Sequence, residues 1–175
     1  HRQAEAAGRF GLKDNTVEGI ALSIGIMPTR YRRNRDMITI EDQLTLFRSS
    51  VAVVGCGGLG GYVIEALARL GIGNLTVVDP DVFEEHNLNR QVLASIDSIG
   101  RAKAAVAALH VGRINPAVTV NSHQKALDKD NGPVLLKGMD IAVDALDSIP
   151  VRIQLSEVCR DLKIPLVHGS IAGWY

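Results

Sequence analysis

Three groups of residues could act together on a phosphate-bearing ligand. The first is Gly55-Cys56-Gly57-Gly58-Leu59-Gly60, which follows the apolar run 51–54 (VAVV) and leads into a helix-periodic stretch. In a strand–turn–helix of this kind Gly55 allows the tight turn and Gly57 lets a phosphate approach the backbone. Gly60 lets the helix pack against the strand. The helix start then offers free N–H groups and a positive dipole to an anion. A glycine-rich turn without a ligand is the plain alternative. Asp79 stands about twenty residues beyond the glycines, at the end of a second β-rich run. A carboxylate there bonds a ribose hydroxyl, unless it serves only as a turn or cap residue. These two features suit NAD, FAD and ATP equally.

The second group follows Asp79. Asp81, Asn87, Asn89, Arg90 and Gln91 crowd one polar loop. Arg90 could meet a phosphate with its planar fork, although pattern alone favours a solvated loop. Lys103, with Arg101, falls in the first turn of the helix expected over 101–113. A cation there is unfavourable by up to ~1 kcal/mol, and a bound polyanion would reverse the sign. A solvated lysine tolerating that cost fits as well. The third group is Asp144 and Asp147, just past a later strand. They could hold Mg²⁺, while Asp147 before Ser148-Ile149-Pro150 could equally be a helix N-cap.

The elements that must position these groups alternate. Residues 1–30 read as loosely helical, closed by Met27-Pro28, with a basic cluster at 31–36 (YRRNRD) and a short helix over 40–47. Strands are predicted at 51–54, 75–78, 118–120, 141–143 and from 165. The helix after the glycines carries Val63, Ile64, Leu67 and Leu70 on one face and ends at Gly71 and Gly73. The helix over 151–162 buries Val151, Leu155, Val158 and Leu162. Alternation of this kind predicts an α/β fold: a Rossmann-like, mainly parallel sheet with helices on both faces and an N-terminal helical extension. The expected division is 1–40 for the helical and basic segment and 41–175 for the nucleotide-binding domain. The start at His1, and an end just after a strand, read as part of a longer protein.

Composition narrows the function classes. Hydrophobic residues make up 46% and charged residues 22%, ordinary for a soluble globular chain. Lys+Arg and Asp+Glu number 19 each, so no net charge draws the chain to nucleic acid or acidic membranes. No apolar run reaches the ~18 residues of a membrane span, no signal peptide is visible, and the default compartment is a reducing cytoplasm. Cys56 and Cys159 belong to no CxxC pair, so neither a zinc site nor a disulfide framework is indicated. Neither sits where an exposed, low-pKa thiolate would be expected.

Taken together, RYRRN, VAVVGCGGLGGYV, VVDPDVFEEHNLNRQ, GRAKAA and VDALDS resemble the ThiF/MoeB/HesA family, relatives of the ubiquitin-activating enzymes; the likeness runs from about Tyr31 to Tyr175. The resemblance implies adenylation, with ATP and Mg²⁺, of the C-terminal carboxylate of a ubiquitin-like sulfur-carrier protein ending Gly-Gly. It implies that Gly57 and its neighbours line the nucleotide site and that Asp79 binds the ribose. Asn87, Arg90 and Gln91 would hold the phosphates, Lys103 would sit near the α-phosphate, and Asp147 would bind Mg²⁺. Arg33 matches the arginine of the motif R-Y-x-R-N, which in relatives reaches across a homodimer into the partner's site; Arg32 and Arg35 are its neighbours for that role. Ser148 departs from the asparagine many relatives carry. The family's crossover loop, its cysteine and its zinc-binding CxxC pairs are absent from these residues. His168, at the end of the last strand, reads as a structural or rim residue.

The expected reaction sets a carboxylate against an α-phosphate, anion against anion, and needs positioning and positive charge rather than a general base. Three rivals stand beside it. A dinucleotide-dependent oxidoreductase would leave Arg90, Lys103 and Asp147 without purpose. A silent binding module would have no need to keep them. The same fold could also activate another carboxylate, on a peptide or a tRNA base.

Overall fold

A computed structural model describes the backbone of residues 2–170 and the side chains of residues 5–170. Residue 1 and residues 171–175, the outer ends of the two expected spans, lie outside the described residues. Five strands form one sheet: β1 (Ser50–Val54), β2 (Asn74–Val78), β3 (Thr119–His123), β4 (Ile141–Asp144) and β5 (Leu166–His168). Their order is β3-β2-β1-β4-β5, and every pairing is parallel. The fold is therefore α/β and Rossmann-like. The order reverses between β1 and β4, so the crevice at their carboxyl ends is the natural ligand position.

Strand alternation builds two cores. Val51 and Val53 of β1 join Leu75 and Val77 of β2 on one face, against Ile64 and Ala68 of α4 (Gly58–Leu70) and Ala104, Ala107 and Val111 of α5 (Lys103–Ile114). Ala52 and Val54 point to the other face. There they meet Leu155, Val158 and Cys159 of the helix Ile149–Leu162 and Leu136, which follows the four-residue helix Gly132–Leu135. In chain order the helices are α1 (Arg2–Phe10), α2 (Asp14–Ser23), α3 (Ile40–Arg48), α4, α5, α6 (Gly132–Leu135) and α7 (Ile149–Leu162). Leu162 is 37% exposed rather than buried, because it lies at the end of α7, beyond its last core contact. On α4 the most buried positions are Ile64 and Ala68, with Val63 and Leu67 half-buried against the same core.

The N-terminal segment is tied down by a polar cluster. Tyr31, fully buried in the 3₁₀ turn Thr29–Asn34, donates its hydroxyl to Glu18 Oε1 at 2.6 Å and accepts from Asn115 Nδ2 at 2.8 Å. Glu18, also fully buried, pairs with Arg30 at 2.7 Å. Asn115 Nδ2 donates to the Ala68 carbonyl, and Arg30 donates to Asn115 Oδ1. Gln43 of α3 donates to the Leu70 carbonyl at 2.8 Å. The segment is thus fastened to the carboxyl end of α4. Burial, then the Glu18 charge, push the Tyr31 phenol above its ordinary pKa. Removing one partner of such a buried network leaves the others desolvated and unpaired. Tyr31→Phe, which keeps the ring, is expected to cost about 1–3 kcal/mol in urea unfolding. An unchanged midpoint and slope would contradict this anchoring.

Candidate functional site

The turn between β1 and α4 is built by close approach. Gly55 has φ +97, and a Cβ on it would lie 2.6 Å from the Ala145 carbonyl oxygen. A Cβ on Gly60 would lie 1.8 Å from the Gly55 carbonyl oxygen, so only glycine lets α4 start this close to the strand. Gly57 is the N-cap of α4 and offers no side chain to the first-turn N–H groups. A Cβ on Gly57 would meet only the Gln91 amide, at 3.6 Å; protein packing does not demand glycine there, and its backbone lies on a cavity wall.

That cavity has a volume of about 750 Å³ and opens at the carboxyl ends of β1, β2 and β4. Gly55, Gly57, Gly58, Asp79, Asp81, Arg90, Lys103 and Asp147 line it, so eight of the residues singled out from sequence meet at one hollow. Asp79 is 5% exposed; its Oδ2 accepts from Cys56 N at 2.7 Å and its Oδ1 from Asp81 N at 2.8 Å. Burial holds its pKa above the ordinary carboxylate value against the opposing pull of those N–H groups and Lys103. Lys103 begins α5 and is buried; its Nζ lies 3.0 Å from Asp81 Oδ2. A solvated lysine is excluded. Arg101 lies outside the helix, whose N-cap is Ala102. Arg90 is exposed on the rim, where Nη1 donates to the His86 carbonyl and to Asn89 Oδ1.

Asp144 and Asp147, paired in the sequence, have different roles. Asp144 is fully buried. Its Oδ1 accepts from Leu146 N, and its Oδ2 meets Arg152 Nε at 2.9 Å and His168 Nδ1 at 2.8 Å. It is committed to structure and not available as a metal ligand, and His168 is its partner. Asp147 is exposed on the cavity wall. The N-cap of α7 is Ser148, so the capping alternative for Asp147 does not apply. Among the described residues no three His, Cys, Asp or Glu side chains cluster to cage a metal. A single exposed carboxylate on the wall still fits Mg²⁺, which keeps several waters and would take further ligands from a phosphate-bearing substrate.

Gly60, Asn87, Gln91 and Arg33 also lie off the cavity wall, as do Asn89 and Arg101. Gly60 is the packing glycine. Asn87 is 3% exposed, with Oδ1 accepting from Glu84 N, so its carbonyl end shapes the loop while its amide N–H groups have no partner among the described residues. Gln91 is buried beside Gly57, with Oε1 unpaired. Arg33 is exposed in the 3₁₀ turn fastened at the carboxyl end of α4, whereas the cavity is at its amino end. The helix between them spans roughly 20 Å. Two cationic wall residues escaped the sequence reading: Lys125, after β3, and Arg152. Arg152 carried the same signal as Lys103, a cation in the opening turns of a helix.

The two thiols are structural. Burial, then the Asp79 charge, push Cys56 well above the ordinary thiol value; burial, then Asp144, raise Cys159. Iodoacetamide at pH 8 is expected to modify both in the folded chain at under about a tenth of the rate found after unfolding. Rapid labelling of either in the native state would contradict their assignment as inert.

Comparison with known proteins bears on the family and the fold. The ThiF family model matches residues 31–175. The SAMP-activating enzyme E1 of Haloferax volcanii is 46% identical over 144 residues, 81% of this chain and 53% of that protein. The sulfur carrier protein adenylyltransferase of Thermus thermophilus is 38% identical over 144 residues, with the same 81% and 53% coverage. The chain thus spans about half the length of these relatives. Among solved structures, E. coli tRNA N6-threonylcarbamoyladenosine dehydratase in complex with ATP superposes with TM-score 0.76 at 34% identity, over 82% of this chain and 61% of that one. E. coli MccB with ATP gives TM-score 0.74 at 27% identity, over 81% and 44%.

Proposed function

The chain belongs to the ThiF family, and we propose that it is the nucleotide-binding unit of an adenylyltransferase that activates the C-terminal carboxylate of a ubiquitin-like sulfur carrier. The observation that carries this reading is the meeting of a glycine turn, Asp79, Arg90, Lys103 and Asp147 at one cavity beside the uncapped start of α4. The names of the Haloferax and Thermus relatives support the substrate class. ATP-bound neighbours support the nucleotide.

In this reading Asp79 takes the ribose, and the first-turn N–H groups of α4 receive phosphate oxygens. The carrier's carboxylate oxygen attacks the α-phosphorus. The new P–O bond forms as the bond to the β-phosphate bridge breaks, and pyrophosphate leaves with the electron pair. No electrons are exchanged with a redox partner, and no base is needed, because the carboxylate is ionised at pH 7. Lys103 and Arg90 offset the crowding of negative charge as the carboxylate arrives. Asp147 would hold Mg²⁺, which when bound neutralises phosphate oxygens. We assign the protein to the cytoplasm; no described helix is long and apolar enough to cross a membrane.

We further propose a homodimer in which Arg33 serves the partner's cavity, since its turn is fixed some 20 Å from its own. A second reading keeps the chemistry and changes the acceptor, as the dehydratase neighbour's name suggests for a tRNA base.

In the full-length protein, Lys103→Ala should lower carrier-dependent ATP–pyrophosphate exchange by about 10²-fold or more, with a much smaller loss of ATP affinity. Unchanged exchange would remove Lys103 from the catalytic set, and exchange that needs tRNA instead of a carrier would favour the second reading. Asp147→Ala should abolish exchange at ordinary Mg²⁺ and recover part of it at high Mg²⁺. Mixing Arg33→Ala with Lys103→Ala chains should restore exchange well above either parent, because each hybrid dimer keeps one whole site. No recovery despite proven subunit exchange would mean that each site is built within one chain.

A further inference from the structure

Asp81 occupies a position that nucleotide binding alone does not explain. It lines the cavity with a side chain 62% exposed, yet it is an anion where a polyphosphate should lie. Its three polar groups each have a partner in the protein. The Asp81 N–H donates to Asp79 Oδ1 at 2.8 Å. Its carbonyl accepts from Lys103 N at 2.9 Å. Its carboxylate holds Lys103 Nζ at 3.0 Å. Asp79 in turn accepts from Cys56 N inside the glycine turn at 2.7 Å. One unbroken run of hydrogen bonds therefore links the start of the phosphate turn, Asp79, Asp81 and the first residue of α5. Two isolated bridges, Val82 with Ala102 and Phe83 with Ile99, fix the backbones that carry the pair.

We propose that Asp81 is a positioning residue: it fixes the Lys103 ammonium over the α-phosphate position, and it does not itself bind nucleotide or metal. This rests on the nucleotide reading of the cavity given above. A lysine ammonium sits on a flexible four-carbon stem. At Lys103 that stem is nearly buried, with 9% of the side chain exposed. The Asp81 carboxylate gives the charge a fixed address before the substrate enters, so little reorganisation is left for the transition state. The same carboxylate repels the triphosphate, so its removal has opposite tendencies on binding and on rate. Since both backbone bonds of residue 81 survive a side-chain change, the substitution isolates the tether.

The test is a double-variant cycle in the full-length protein, read by MgATP affinity in calorimetry and by carrier-dependent ATP–pyrophosphate exchange. Asp81→Asn, with Asp81→Ser as a second variant, is expected to leave MgATP affinity within about threefold or tighter and to lower exchange about tenfold, a typical scale for a misplaced catalytic group. In the Lys103→Ala background Asp81→Asn should lower exchange no further, because its influence on the rate passes through Lys103, while MgATP affinity tightens as the direct repulsion is lifted. Losses that multiply in the double variant would overturn the proposal. So would exchange unchanged in Asp81→Asn, or a raised Mg²⁺ requirement, which would make Asp81 a metal ligand. If the wild type binds MgATP but shows no exchange with any carrier, the substrate reading fails and the same cycle is read with tRNA as acceptor, where unchanged exchange in Asp81→Asn still overturns the tether. If it binds no MgATP, both fall.

Discussion

The start of α4 can lie where it does only because no side chain stands between it and the end of β1. The Gly60 Cα faces the Gly55 carbonyl at a separation that a Cβ would reduce to 1.8 Å, and Gly55 itself presses on the Ala145 carbonyl. The rest of the site depends on this constraint. Drawing α4 against the strand sets its first N–H groups on the cavity wall beside the carboxyl ends of β1, β2 and β4. Seating Gly55 against residue 145 fixes the loop that follows β4, and with it Asp147. The neighbouring buried carboxylate Asp144 completes the arrangement by gathering Arg152, His168 and the Leu146 N–H around one side chain.

Charge follows from that frame. The cavity wall carries Arg90, Lys103, Lys125 and Arg152 together with Asp79, Asp81 and Asp147, a local arrangement of charge that the balanced totals of the chain do not reveal. Two of the cations are already paired, Lys103 with Asp81 and Arg152 with Asp144. Arg90 remains on the exposed rim. Under the proposed function, a buried, tethered cation and an exposed one would suit different ends of a triphosphate.

Much of this was legible in the sequence. Strand alternation and the glycine spacing implied the sheet, its helices on both faces and the roles of Gly55 and Gly60. The polar loop after Asp79 pointed to the right end of the sheet. What escaped was set by tertiary pairing. Asp144 and Asp147 look alike in one dimension, and only the packing of Arg152 and His168 separates a structural carboxylate from an exposed one. Asn87 and Gln91 are polar loop residues that turn inward, one to its own loop and one beside Gly57, which no periodicity records. Leu162 continued the apolar pattern of α7 past the end of its core contact. The 3₁₀ turn around Tyr31 read as a basic cluster, because the buried partners that anchor it, Glu18 and Asn115, are distant in sequence.

The central claim is that one cavity binds ATP by its ribose on Asp79 and its phosphates at the start of α4. A crystal structure of the full-length protein with Mg²⁺ and a non-hydrolysable ATP analogue tests it most directly. The expected result is ribose hydroxyls on Asp79, the phosphate chain over the Gly57–Leu59 backbone and Lys103 Nζ within hydrogen-bond distance of an α-phosphate oxygen. A nucleotide bound elsewhere, or bound in the cavity with its phosphates directed away from α4 and Lys103, would contradict it.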